Sequence, residues 1–65
     1  MKKLALFTVV RLTRETTGLR PGVTGVVVGV YSGGWYEVDV SEATAGAVMS
    51  VALHTDDFEV TSIGS

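Results

Sequence analysis

The sequence predicts an all-β fold, and three observations favour it. β-branched residues are frequent, short runs alternate between apolar and polar positions, and eight glycines interrupt the chain. Because the chain has only 65 residues, we expect one small domain over 1–65. A domain of this size buries about 60% of the surface that its unfolded chain exposes, so it is marginally stable without further support.

The first predicted strand is the β-prone run over residues 4–12. One face carries Leu6, Thr8, Val10 and Leu12, and the other carries Ala5, Phe7, Val9 and Arg11. Since both faces are largely apolar, the strand is typical of a barrel or an interface. A polar loop over 13–22 follows and ends in a tight turn at Pro21 and Gly22.

The second predicted strand spans residues 23–31 and contains two glycines. Its β-branched residues disfavour a helix. Gly25 and Gly29 are expected to form β-bulges or sharp bends that let a short sheet curve. Residues 32–34 read Ser-Gly-Gly and predict a hairpin turn, because glycine supplies the positive φ angles of tight β-turns.

The third predicted strand, over residues 35–40, has the clearest pattern. Tyr36, Val38 and Val40 alternate there with Trp35, Glu37 and Asp39. A loop over 41–46 and a fourth strand over 47–53 follow. A helix through 42–53 is the alternative, although its glycine and valines disfavour it by about 1 kcal/mol or more relative to alanine.

The end of the chain predicts a 3-10 turn over residues 54–57 and a fifth strand over 58–63. Thr55 is expected to cap the turn, with Asp56 and Asp57 as solvated side chains at its positive end. In the fifth strand, alternation places Phe58, Val60 and Ser62 on one face.

This order of elements is the plan of an SH3-like barrel. It combines five short strands, a long first loop, a tight second hairpin and one 3-10 turn before the last strand. An OB-type barrel is the alternative, but it usually needs more residues and a helix between its third and fourth strands. Because the apolar surface exceeds what so short a chain can bury alone, we also expect a homo-oligomer.

Composition excludes several kinds of site. With no cysteine and one histidine, the chain has no disulfide, thiolate metal site or histidine cluster. The glycines lack the lysine and the following helix of a phosphate-binding loop, and we expect no cofactor and no metal. Residues 1–20 carry a net charge of +4 and residues 21–65 carry −6. We expect strands from the two halves to interleave and blur this asymmetry.

The first residues imitate a secretory signal, with two lysines before an apolar run. Arg11 ends that run after about seven residues, and no small-residue cleavage site follows. The longest uncharged stretch, over 21–36, is too short and too rich in glycine to span a membrane. We therefore expect a cytoplasmic protein.

Two stretches resemble a family of short bacterial proteins. The first reads Gly-Leu-Arg-Pro-Gly-Val-Thr-Gly-Val-Val-Val-Gly-Val-Tyr over residues 18–31, and the second reads Tyr-Glu-Val-Asp-Val over 36–40. Both are similar to the family catalogued as domain of unknown function 4926. Leu53 and the pair at 57–58 stand where the closing leucine and acidic ending of that family fall.

Two positions depart from the family pattern. Gly29 stands where many members have an acid, and Phe58 stands where leucine is usual. The resemblance implies an SH3-like barrel with no assigned activity, and it designates no catalytic residue.

The best binding candidate lies on the polar face of the third strand. Trp35 shares that face with Glu37 and Asp39, and Tyr31 lies on the other side of the Ser-Gly-Gly turn. A tryptophan beside acids can anchor a peptide or a second subunit. The alternative is that Trp35 covers one end of the barrel. We expect a non-enzymatic interaction module that binds a protein or associates with itself.

A nucleic-acid-contacting module of the KOW type is the alternative function. Arg11, Arg14 and Arg20, around the first loop, could form a small phosphate-binding patch. The net charge of −2 and the acidic second half disfavour this function.

No nucleophile in the sequence has an evident base with an orienting partner, so we do not expect an enzyme. The remaining enzymatic possibility is a site formed across a symmetric oligomer by Tyr31, His54 or Asp57.

Overall fold

The computed structural model describes residues 4–42 and 47–63. Its elements in chain order are β1 (Val9–Leu12), β2 (Thr24–Val30), β3 (Trp35–Glu42), β4 (Ala47–His54), a 3-10 turn (Thr55–Asp57) and β5 (Phe58–Ser62). The predicted all-β class, with five strands and a 3-10 turn before the last, is confirmed. Within the two described ranges there is no helix with the length and apolar character needed to cross a membrane.

The five strands form one antiparallel sheet in the order β4-β3-β2-β1-β5. β1 lies between β2 and β5, so the N-terminal strand pairs with the C-terminal one. In the part of the chain that the structure describes, no ladder joins β4 to β5. These two strands are therefore the edges of the sheet, and its closure into an SH3-like barrel stays a prediction.

The core lies on one face of the sheet. In β3, Tyr36, Val38 and Val40 are buried, as their alternation predicted. The other buried hydrophobic residues are Val10, Leu12, Leu19, Val27, Leu53 and Phe58. Leu19 belongs to the loop after β1, where it exchanges two backbone hydrogen bonds with Thr16, at 2.8 and 3.1 Å. This loop therefore contributes a side chain to the core as well as connecting two strands.

The first strand is shorter than predicted. β1 covers Val9–Leu12 instead of residues 4–12, because the chain turns before it and Phe7 adopts a φ of 69°. The Phe7 amide donates a hydrogen bond to the Val27 carbonyl at 2.7 Å, which holds this turn against β2. Of the face predicted to be buried, Thr8, Val10 and Leu12 are buried and Leu6 is exposed.

The two glycines of β2 have different roles. The register against β3 shifts between Val27 and Gly29, which confirms an irregularity at the second glycine. Gly25 is instead a position of close approach. A Cβ atom there would lie 2.6 Å from Val38 Cγ1 and 2.8 Å from Val40 Cγ1. The register shows no bulge at Gly25, and its missing side chain leaves room for the Val38 and Val40 side chains of β3.

The hairpin between β2 and β3 is confirmed. Gly33 and Gly34 have φ angles of 72° and 85°, which glycine adopts readily. The Tyr31 amide donates to the Trp35 carbonyl at 2.9 Å and closes the turn. Tyr31 and Trp35 are thus fixed on either side of the two glycines.

The strands around the next connection are longer than predicted. β3 continues through Glu42, so strand replaces the first two residues of the predicted loop over 41–46. The other four, residues 43–46, lie outside the described residues. The alternative helix is wrong over 47–53, because these residues pair with β3 as part of β4.

The 3-10 turn has a different cap from the predicted one. His54 rather than Thr55 is the N-cap, and its Nδ1 accepts a hydrogen bond from the Asp56 amide at 3.2 Å. Asp57 is buried rather than solvated. Its Oδ2 accepts from the His54 amide at 3.1 Å, and its Oδ1 accepts from Arg14 Nε at 2.9 Å.

The last strand is one residue shorter than predicted and is buried only at its start. Phe58 packs in the core, edge-on to Tyr36 with ring centroids 6.1 Å apart. Val60, opposite Val10, shares its face but is exposed at the edge of the sheet. The prediction for Ser62 is wrong, because the register against β1 shifts between Val10 and Val9 and places Ser62 opposite Val9, on the other face.

Candidate interaction surface

The predicted binding residues lie on the face of the sheet opposite the core. Trp35, Glu37 and Asp39 project from β3 on this side, and their neighbours on β4 are His54, Ala52 and Ser50 respectively. We call these six residues the outer face. Tyr31 extends it at the hairpin, where it is 49% exposed.

Two carboxylates of the outer face are held side by side by one hydroxyl. Ser50 Oγ lies 3.1 Å from Glu37 Oε2 and also contacts Asp39 Oδ1. A serine hydroxyl has a single proton, so it donates to one of these carboxylates at a time. Among the described residues, neither carboxylate pairs with a basic side chain. The pair therefore presents negative charge to the solvent.

Tyr31 is joined to the same carboxylates. Its hydroxyl donates to Glu37 Oε1 at 3.1 Å. This hydrogen bond and the nearby negative charge of Glu37 raise the pKa of Tyr31 above its ordinary value, because both favour the protonated phenol. The structure thus brings together three of the four predicted binding residues, Tyr31, Glu37 and Asp39, in one network.

The fourth predicted residue, Trp35, contacts a different partner. Its indole packs edge-on against His54, with ring centroids 5.2 Å apart. His54 Nδ1 accepts the hydrogen bond from the Asp56 amide that caps the 3-10 turn, and Nε2 lies 3.2 Å from the Gly33 carbonyl oxygen. The indole is 45% exposed, so roughly half of its surface faces the solvent beside the hairpin.

The structure shows a second feature next to the outer face, the open edge of β4. The Thr55 amide donates to the Gly34 carbonyl at 3.1 Å, so Thr55 directs its backbone groups towards β3. Because hydrogen-bonding direction alternates along an antiparallel strand, Met49, Val51 and Leu53 direct their backbone groups towards β3. The backbone groups of Val48, Ser50 and Ala52 consequently point away from the sheet.

This open edge is long and uncharged. β4 has eight residues, and no lysine, arginine, aspartate, glutamate or proline occurs among them. Val48 is 68% exposed and Met49 is 41% exposed. Natural proteins usually protect edge strands with charges, proline, bulges or short length, since an open strand pairs readily with another chain. None of these four devices is found along β4.

Sequence reasoning missed this edge because the residues of a strand do not determine whether it lies at the centre or at the edge of a sheet. The uncharged run over 47–53 was visible, but it is equally compatible with a central strand buried on both sides. Only the strand order shows that, among the residues the structure describes, one side of β4 has no neighbouring strand.

Two of the three arginines in the predicted phosphate-binding patch form ion pairs with carboxylates. Arg11 pairs with Glu59 on β5, and Arg14 pairs with Asp57 at 2.9 Å. Both pairs join a base from the first part of the chain to an acid near its end, which confirms the expected interleaving of the two halves. Arg20 is exposed in the loop after β1. The nucleic-acid alternative stays a prediction.

The described residues contain no group of three or more histidine and acidic side chains that could hold a metal ion. Two of the three residues considered for an enzyme site across an oligomer already have hydrogen-bond partners. The Asp57 carboxylate accepts from Arg14 and from the His54 amide. The Tyr31 hydroxyl donates to Glu37.

A family model described as Domain of unknown function (DUF4926) matches residues 6–60, a range that includes the hairpin, the outer face and all of β4. No curated protein and no solved structure matches the chain. The matched range covers most of the chain, and the protein therefore belongs to the DUF4926 family.

Proposed function

We propose that this domain is a non-enzymatic protein-interaction module that binds an extended segment of a partner chain at the open edge of β4. One observation carries the proposal. The backbone groups of Val48, Ser50 and Ala52 point away from the sheet along a strand that has no charge and no proline. Addition of a strand to such an edge supplies main-chain hydrogen bonds and requires no change in the fold.

Apolar side chains at the edge support the same function. Val48 projects from the outer face of β4, and Met49 projects from the core face. A partner strand beside β4 would cover both, and removal of their exposed apolar surface from water favours association. Charged residues, which oppose burial, lie one strand further from the edge, at Glu37 and Asp39.

The test is site-specific photo-crosslinking in the host organism. A benzoylphenylalanine at Ala52, whose side chain is exposed beside the open edge, should crosslink to a partner chain on irradiation. The same group at Thr61, exposed on β5, is the matched control. Mass spectrometry of the adduct identifies the crosslinked peptide.

We expect an adduct from position 52 with a defined peptide, and at most a weak one from position 61. The adduct should disappear in a Val48→Pro background, because proline removes a free amide at the edge and leaves the ladder with β3 intact. Equal labelling from both positions, or labelling that survives the proline, would contradict the proposal.

A further inference from the structure

We infer that the partner strand at β4 is the β4 strand of a second copy of this chain, related by a two-fold axis through Ser50. The inference rests on the proposed function and names its partner. It is carried by the self-complementarity of the open edge in register, side-chain size and charge.

Register limits how two copies can pair. In an antiparallel pair, residues that exchange hydrogen bonds must both direct their backbone groups into the new interface. On β4 these residues are Val48, Ser50 and Ala52. Two-fold pairing centred on Ser50 places Val48 opposite Ala52 of the second copy, and Ala52 opposite its Val48. All three residues then hydrogen-bond across the axis.

Side-chain size suits this register. On the outer face, exposed Val48 meets the small side chain of Ala52 from the second copy. On the core face, half-exposed Met49 lies opposite Val51 of the second copy, and Val51 lies opposite its Met49. The exposed apolar side chains of β4 are thus covered by apolar partners, and no charge is buried.

Charge does not oppose the pairing. The unneutralised carboxylates Glu37 and Asp39 lie on β3, so two β4 strands separate them from their equivalents in the second copy. At about 4.8 Å per strand this separation is roughly 14 Å. It exceeds the screening length of about 8 Å at physiological salt.

The other edge of the sheet fits a second copy less well. β5 has five residues and contains Glu59, which pairs with Arg11. Pairing of β4 with β5 of another copy would also be heterologous, and such contacts continue into open assemblies unless they form a ring. Pairing of β4 with itself closes after two copies and gives one continuous ten-stranded sheet.

The first experiment measures association in solution. Sedimentation velocity from about 10 to about 500 µM should show a monomer–dimer equilibrium in the micromolar range, as expected for a small interface. Ala52→Pro and Val48→Lys should each raise the dissociation constant at least about tenfold. Val60→Pro is the matched control, because it places a proline at the other edge, and it should leave the dissociation constant within about twofold.

The second experiment tests the axis. The chain has no cysteine, so Ser50→Cys introduces a single thiol. Hydrogen-bonded pairs across antiparallel strands have Cα atoms about 5.5 Å apart, which lies within the range of disulfides. Mild oxidation should convert Ser50→Cys to a covalent dimer, whereas Thr61→Cys should stay monomeric.

The outcomes separate this inference from the proposed function. If the protein is a monomer at every concentration and position 52 crosslinks to a different protein, the inference of a second copy is wrong. The proposed function as an interaction module is then still supported. A dimer that Ala52→Pro does not weaken, or that Ser50→Cys does not trap, also overturns the inference. Circular dichroism of each variant shows that the sheet is retained, and Val48→Lys provides the test if the proline variant does not fold.

Discussion

Arg14 and Asp57 are 43 residues apart in the chain, yet Arg14 Nε donates to Asp57 Oδ1 at 2.9 Å. The other oxygen of the same carboxylate accepts from the His54 amide at 3.1 Å. Asp57 therefore ties the loop after β1 to the end of β4.

We expect Asp57→Ala to lower the free energy of unfolding by about 2 kcal/mol, because the His54 amide at the N-cap loses its acceptor. Arg14→Ala should cost less than about 1 kcal/mol, since its side chain is mostly exposed and solvent screens the ion pair. Urea denaturation measures both. If the arginine variant were as unstable as the aspartate variant, the ion pair rather than the cap would be the main contribution.

Gly25→Ala should destabilise the domain by about 2 to 3 kcal/mol, because overpacking forces the neighbouring strand to move. The added Cβ would lie 2.6 Å from Val38 Cγ1 and 2.8 Å from the Asp39 carbonyl oxygen. Gly18→Ala is the matched control, with φ +80° and open space around it. It should cost about 1 kcal/mol from backbone strain alone. Thermal unfolding of the two variants should rank them in this order.

The Tyr31 phenol should titrate above its ordinary pKa of 10.0, because Glu37 favours the protonated form. Its pKa is raised on folding, so its stabilising contribution is present below pH 10 and is lost as the pH rises through the folded value. Tyr36→Phe leaves Tyr31 as the single tyrosine for ultraviolet titration. In that background, Glu37→Gln should lower the pKa. No change on this substitution would show that the hydrogen bond does not form in solution.

Much of the fold could be predicted from local pattern. The alternation over 35–40 identified the buried Tyr36, Val38 and Val40, and the Ser-Gly-Gly sequence identified the hairpin. These features depend on neighbours in the chain, so a short window of sequence contains them. The placement of Glu37 and Asp39 on one exposed face follows from the same alternation.

Other features depend on contacts between distant residues. The turn at Phe7 contains no glycine or proline that would predict it. It is held by the hydrogen bond from the Phe7 amide to the Val27 carbonyl. The buried Asp57 accepts a hydrogen bond from the distant Arg14, and the open edge of β4 depends on the order of all five strands. Local pattern contains none of this information, which explains why Asp57 was predicted to be solvated and the edge was missed.

Residue-resolved amide hydrogen exchange is the most direct test of the pairing between β4 and the β4 strand of a second copy. The amides of Met49, Val51 and Leu53 point towards β3 and should exchange slowly at every protein concentration. The amides of Val48, Ser50 and Ala52 should exchange rapidly in dilute solution and become protected as the concentration rises. Rapid exchange of these three amides at all concentrations would contradict the pairing of β4 with a second copy.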